Sequence, residues 1–346
     1  MQPVVGCDAH KKFSVFVSVD HAGKSSRPVR VDHDRDLYCK YLCSLPPESD
    51  IALGATGHWY WIVDAMEQAG HHPHLANPFE AKRRMAKSNK TDALDARGLA
   101  ILLRCGTLPE SWIPPGELRD QRELLRTRMA LRDLRTSLKH RIYAAIDRCG
   151  LHPEAISDLF GTKGRQYLAS ALQRLPSETS QMTAMQLHSI DQLEEKIETI
   201  ECRIAERLRM SPEIRLLRTI PGLGPVLAPL VWLEIGDVER FPRAEHLASY
   251  AGLVPRIIAS GGHVRHGGTC RNVNHYLKWA FVEAANIAIR TKAQRRQHIG
   301  LLYQRLYPAK GHGRAAVAVA RHLAEASYWV LRKRQNYRAP QAHIAG

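Results

Sequence analysis

No run of apolar residues in this chain approaches the roughly 20 needed to cross a bilayer, and its start carries no basic-then-apolar secretory pattern. The seven cysteines (Cys7, Cys39, Cys43, Cys105, Cys149, Cys202, Cys270) are odd in number, scattered and without paired metal spacing. They therefore indicate neither a disulfide framework nor a zinc site. Cys39 and Cys43 can share a helix face, but no second pair completes a ligand set, and they read as buried thiols. A reducing cytoplasm and no membrane partner are the expectation. Acids are scarce in one region: from Arg290 to Arg338 there are twelve Lys or Arg against the single acid Glu325, and from Arg256 to Arg271 there is no acid at all. Solvated faces normally mix both signs. With a net charge of +16 and a pI near 9.7, the chain reads as the partner of a polyanion, with nucleic acid the first candidate.

At 346 residues there is room for two or three domains with proper cores. Val4-Val5-Gly6-Cys7-Asp8 is an apolar run ending in an acid, and Phe13 to Val19 is built of valine and phenylalanine with only Ser14 and Ser18 between them, so both read as strands. Pro28-Val29-Arg30-Val31 is a weaker third. A helix (Asp36 to Leu45), a strand (Ile51 to Leu53), a helix (Trp59 to Ala69), a strand (His74 to Asn77) and a further helix carrying Asp92 follow. This order predicts a mixed sheet in an α/β domain over residues 1–110.

The stretch Lys90-Thr91-Asp92-Ala93-Leu94-Asp95-Ala96 sets two carboxylates three residues apart where an apolar helix begins. Positions i and i+3 share a helix face, and paired carboxylates hold Mg²⁺ well. The same pattern also suits a helix start in which Thr91 is the N-cap and the acids answer the dipole. Four cations, Arg83, Arg84, Lys87 and Lys90, precede the pair as a candidate nucleic-acid contact.

Pro109 and Pro114-Pro115-Gly116 interrupt the chain. From Glu117 to about Cys149, Leu124, Leu131 and Leu138 recur every seven residues on an arginine-rich helix. Near Ser189, Ile190, Leu193, Ile197, Ile200 and Ile204 step by threes and fours beside Glu194, Glu195, Glu198 and Glu201. This is a coiled-coil-like seam, giving a helical region over 111–210 that pairs either with itself as a hairpin or with another subunit. Over 211–346 a helical domain is expected, with helices from Val226 to Ile235 and from Asn274 to Arg290. Ile220-Pro221-Gly222-Leu223-Gly224-Pro225 opens the first of these. Its Gly222 and Gly224 either leave backbone N–H groups to meet a phosphate or make a tight turn between packed helices. Ser260-Gly261-Gly262, in a loop flanked by Arg256, His263, Arg265, His266 and Arg271, is either a turn or an exposed serine whose surroundings would steady a phosphodiester.

Taken in order, Gly6-Cys7-Asp8 with Lys11, Ala55-Thr56-Gly57, Asn77-Pro78 and Lys90-Thr91-Asp92 with Asp95-Ala96 resemble the RuvC-like domain of the DEDD transposases of bacterial insertion sequences, the Piv/MooV-like recombinases. Pro221-Gly222-Leu223-Gly224, Gly252-Leu253-Val254-Pro255 and Ser260-Gly261-Gly262 resemble that family's C-terminal transposase domain. The resemblance implies an RNase H-like fold at the N-terminus and a serine recombinase. In it Asp8, Asp92 and Asp95 bind Mg²⁺ and act in one composite site with Ser260, which attacks the DNA backbone and forms a covalent link. It also implies donor and target DNA, a bridge RNA that pairs with both, and a homo-oligomer. One position departs: the family's glutamate before Ala-Thr-Gly is Gly54 here, which implies a weakened or inactive acid set. Asp64 and Glu67, on the following helix, lie well away from the strand end. Two other readings stand beside this one: a RuvC-like endonuclease using metal and water without a covalent intermediate, and a nucleic-acid-binding protein without catalysis.

Overall fold

The computed structural model describes residues 3–85, 91–152, 156–208, 211–260, 263–269 and 272–340. The chain divides into two compact units, Met1–Gly116 and Glu117–Gly346. The long helices lie within the second unit.

The first unit is a five-stranded mixed sheet with helices. Its elements are β1 (Val4–Ala9), β2 (Phe13–Val19), β3 (Val29–Asp32), α1 (Arg35–Ser44), β4 (Asp50–Gly54), α2 (Trp59–Gln68), β5 (His72–Ala76), α3 (Pro78–Met85) and α4 (Asp92–Arg104). The strand order is β3-β2-β1-β4-β5. The pairs β1/β2 and β2/β3 are antiparallel, and β1/β4 and β4/β5 are parallel. The meander followed by crossovers is the architecture that the sequence order predicts, and α3 is an addition to it. Val5, Cys7, Ile51 and Leu53 bury one side of the sheet's centre against Tyr38, Leu42, Ile62, Val63 and Met66 from α1 and α2. On the other side Ala52 and Ala76 meet Leu99 of α4.

Gly6 sets the distance between β1 and α4. A Cβ placed on it would lie 1.8 Å from the Ala96 carbonyl oxygen, so only glycine allows the helix backbone this close to the strand. The position matters because Asp8 is the last residue but one of that strand and Asp92 opens that helix.

The second unit begins with α5 (Gly116–Arg148), α6 (Thr162–Leu172) and α7 (Ser177–Leu208). Arg128 bonds Glu201 at 2.8 Å, while Arg135 and Lys139 reach Glu194 at 3.5 and 3.4 Å. Partners rise along α5 as they fall along α7, so the two helices run antiparallel within one chain. Of the two arrangements open at the sequence level, the hairpin is the one observed. Ile190, Ile197 and Ile204 bury its seam.

Next come α8 (Pro212–Leu217), α9 (Leu227–Ile235), α10 (Ala244–Tyr250), β6 (Pro255–Ser260), β7 (His263–Thr269), α11 (His275–Arg290) and α12 (His298–Lys333). The expected helical C-terminal region also carries β6 and β7, an antiparallel hairpin in which Ser260 pairs with His263. Ile257, Ile258 and Val264 are β-branched and favour strands, a signal hidden by the length of the acid-free basic run. The basic segment from Arg290 onward is mostly α12, interrupted at Gly311, whose φ is 71°, three residues after Pro308. Cys39 and Cys43, expected to be buried, are exposed; Cys7 is buried, and burial pushes its thiol up to about 12.

A buried ion cluster ties this unit together. Glu234, 1% exposed, accepts two bonds from Arg126 at 2.9 and 3.1 Å and one from the Asn274 amide at 2.9 Å. Arg122 donates to the carbonyls of Leu233 and Glu234 at 2.7 and 3.0 Å. Asn274 also caps α11 through Leu277 N–H. One carboxylate therefore joins α5, α9 and the start of α11. Glu234→Ala is expected to cost about 3–5 kcal/mol, since it strands buried guanidinium charge. A urea titration measures this, and an unchanged midpoint would show the cluster to be dispensable.

Candidate active site

Thr91 opens α4 by accepting a hydrogen bond from Leu94 N–H at 3.2 Å, so Asp92 and Asp95 do stand in the first turn of a capped helix. The cap does not exhaust their role, because α4 lies against β1 and brings Asp92 to Asp8. Between the two carboxylates sits His10. Its Nε2 is 3.2 Å from Asp8 Oδ2 and 3.3 Å from Asp92 Oδ1. That nitrogen is shielded from solvent and lies within ion-pair distance of both carboxylates. One ligand atom from each of Asp8, His10 and Asp92 lies within 4.8 Å of the others.

Burial pushes the Asp8 carboxyl above its ordinary value; His10 opposes this, while the charges of Asp95 and Asp92 add to it. Asp95 is thus close enough to be felt at Asp8 but lies outside the tight group. Two carboxylates and an imidazole nitrogen converging within 4.8 Å of one another fit a divalent cation. The carboxylates suit Mg²⁺, and the imidazole widens the choice to softer first-row ions. No sequence argument singled out His10. Alternation along β1 puts residues 8 and 10 on the same side, and this was the signal available. The ring is held by the tight turn into β2, in which His10 N–H donates to the Phe13 carbonyl at 2.8 Å, and by packing on the Phe13 ring with centroids 4.8 Å apart.

Gly54 ends β4. It lies one residue beyond Leu53, the register partner of Cys7, just as Asp8 lies one residue beyond Cys7. A Cβ at Gly54 meets nothing within 4 Å. The strand therefore presents an open position beside Asp8 and no side chain to fill it.

The other expected contacts separate. Arg83 is exposed and pairs with Glu80 at 3.2 Å, and Arg84 donates to the Thr107 carbonyl. Gly222, with φ of 86°, is pressed against α11, where a Cβ would lie 2.1 Å from the Ala284 carbonyl oxygen; Gly224 faces open space. The close approach that Gly222 permits is thus made to the protein's own backbone. Arg256 and Arg265 are exposed on the hairpin, together with the apolar Ile257 (64%) and Val264 (61%). A lone two-stranded hairpin is marginal by itself, and exposed aliphatic side chains among cations suit a surface that something covers. Lys87, Lys90, Arg271, Gly261, Gly262 and the side chain of Ser260 lie outside the described residues.

Residues 5–150 match a family model described as a transposase, of the DEDD type found in IS110 elements, and residues 214–299 match the model of the transposase IS116/IS110/IS902 family. The chain is 25% identical over 337 residues to the transposase for insertion sequence element IS1111A of Coxiella burnetii, covering 97% of this chain and 91% of that one. A probable family 20 transposase of Pseudomonas aeruginosa is also 25% identical, over 86% of this chain and 88% of its own. The pilin gene-inverting protein of Moraxella bovis is 41% identical over 71 residues, 19% of this chain and 22% of that protein.

Proposed function

We propose that this chain is an insertion-sequence transposase of the IS110 family, as its two family matches and its relatives support, and that it cuts and rejoins DNA through a covalent link to Ser260, assisted by Mg²⁺ at the acids of an RNase H-like domain. The observation that carries the reading is the convergence of Asp8, His10 and Asp92 where β1 ends and α4 begins. Asp8 and Asp92 would hold the ion, with Asp95 adding negative charge and His10 either completing the set or fixing the Asp8 and Asp92 carboxylates. When bound, the cation neutralises charge on the phosphate and favours departure of the leaving oxygen.

In this reading the Ser260 hydroxyl attacks phosphorus, its proton passes to the surrounding solvent or base, and a deoxyribose oxygen leaves as the serine–phosphate bond forms. Attack by a deoxyribose hydroxyl on that bond rejoins DNA and returns the serine. Arg256 and Arg265, exposed beside Ser260 on the same hairpin, would carry the phosphodiester. Arg83, Arg84, Lys87, Lys90 and Arg271 would add phosphate contacts, and the net charge suits donor and target DNA together with a bridge RNA. A homo-oligomer would bring two DNA ends into one assembly.

The test is incubation of the full chain with labelled element-end DNA, with and without Mg²⁺ and an RNA transcribed beside the gene, followed by a denaturing gel. A protein–DNA adduct that needs the cation is expected. Nicking without an adduct would instead identify a metal-and-water nuclease.

Cation binding is readable separately. Mg²⁺ or Mn²⁺ is expected to raise the melting temperature of the metal-free protein by a few degrees, at about 2–4 °C per kcal/mol for a chain of this size. Asp8→Asn should remove that rise. A rise of the same size in Asp8→Asn would place the ion elsewhere.

A further inference from the structure

The end of α12 and the segment that follows it form a cleft of about 500 Å³ that none of the chemistry above uses. Its size lies within the range of small-ligand sites. Arg334, in left-handed conformation (φ 51°), turns the chain back after the helix. Tyr337 is then pinned by two bonds: its N–H donates to Thr219 Oγ1 at 2.9 Å, and its hydroxyl meets His322 Nε2 at 3.3 Å. The returning segment thus makes a second wall facing the helix.

What lines the cleft is specific in kind. Trp329 is 50% exposed, although tryptophan normally buries its large ring. Lys333 Nζ sits 5.0 Å from that ring's centroid, and Arg338 supplies a second cation. Gln335 and Asn336 place amides in the same wall. His322 lines the other side, and burial, with the adjacent His298 ring 4.6 Å away, pushes its imidazole down to about 4, so it is neutral there. Among the described residues the one acid lining the cleft, Glu325, is held by Arg321 at 2.8 Å. An accessible aromatic face, amides able to meet the edge of a base, and cations at the rim are the elements with which proteins hold unpaired nucleotides.

We propose that this cleft is a nucleobase site, in which one unpaired base of a single-stranded segment stacks on Trp329, Gln335 and Asn336 meet its edge, and Lys333 and Arg338 take the flanking phosphates. Lys333 covers the ring in the free protein and swings to the phosphate when a base takes its place. The site rests on the chain's nucleic-acid role and not on the serine chemistry. Duplex DNA, whose bases are already stacked, gains nothing from it.

Fluorescence anisotropy of the full chain, at one fixed salt concentration because phosphate contacts are salt-dependent, tests this with four labelled probes: oligothymidine, oligouridine, an abasic strand of equal length, and a duplex. Trp329→Ala is expected to weaken binding of oligothymidine, oligouridine or both by about tenfold while leaving the abasic strand and the duplex unchanged. Trp329→Phe should retain most of the affinity, because a stacking face remains. Loss confined to the deoxy or the ribo strand supports the site and identifies its source. Equal affinity of Trp329→Ala and the parent for both base-bearing strands, or equal loss on all four probes, overturns it. The assay scores no covalent product, so an absent serine adduct leaves its outcome standing, and unchanged base-strand binding leaves the transposase reading standing.

Discussion

Gly54→Glu is expected to raise covalent adduct formation over the parent protein by on the order of 10- to 100-fold, the range by which support of a metal site commonly tells on activity. The position asks for a carboxylate: it ends β4 beside the end of β1, one residue past the Cys7–Leu53 pair. Its backbone has no positive φ, and a Cβ there meets nothing within 4 Å, so a side chain can start from this position without backbone strain. Binding of nucleic acid should change little, because the cations at Arg256, Arg265 and the end of α12 are untouched. Ser260→Ala should abolish the adduct in either background while leaving binding nearly intact. The two positions lie in different compact units, and measuring both singles and the double shows whether acids and serine serve one reaction, which single substitutions do not reveal. Robust adduct from Ser260→Ala would overturn the nucleophile. Equal adduct with glycine or glutamate at 54 would mean that Asp8, His10 and Asp92 suffice.

The second large effect is expected from the smallest change, Gly6→Ala. One methyl group would meet the Ala96 carbonyl oxygen at 1.8 Å, its carbon at 2.8 Å and the Ala100 nitrogen at 2.9 Å. All three are backbone atoms of α4, so no rotamer change relieves the clash, and the helix must shift bodily from the sheet. Overpacking of a core commonly costs 1–3 kcal/mol, and a backbone clash of this depth is expected to reach about 3 kcal/mol or more. Because Ala96 is one turn along the same helix from Asp92, the shift also parts Asp92 from Asp8 and His10. A lowered urea midpoint together with loss of the cation-induced rise in melting temperature is the expected result. A protein of parental stability that still gains from the cation would show that α4 adjusts without moving its first turn.

Much of this architecture is written in local pattern. The valine- and phenylalanine-rich stretch Phe13 to Val19 and the apolar run into Asp8 are satisfied within a few residues of themselves, as are the i, i+3 acids after Thr91 and the isoleucine steps of α7. Short β-favouring runs and helical spacing therefore sufficed to place them. The family resemblance likewise rests on short contiguous motifs, and the two matching models cover the stretches in which those motifs lie. The hairpin of β6 and β7 shows where such reading fails: its charge was more conspicuous than the strand-favouring Ile257, Ile258 and Val264, and the segment passed for a loop.

The amino-acid sequence by itself determined which residues could carry chemistry: acids at the end of a strand and the start of a helix, a serine beside paired glycines, and an excess of cations seeking a polyanion. Only the tertiary structure decided which of these meet. His10 joined Asp8 and Asp92 because Gly6 lets α4 lie directly on β1. Gly222 was claimed by the backbone of α11, and Arg332 by Glu239 at 2.5 Å. Trp329 lines the cleft that the chain makes as it turns back at Arg334. The physical reason is common to all four. A side chain's local propensity depends on its immediate neighbours, whereas its partner is set by which segments close packing presses together, and that depends on the shape and volume of residues far away in the chain.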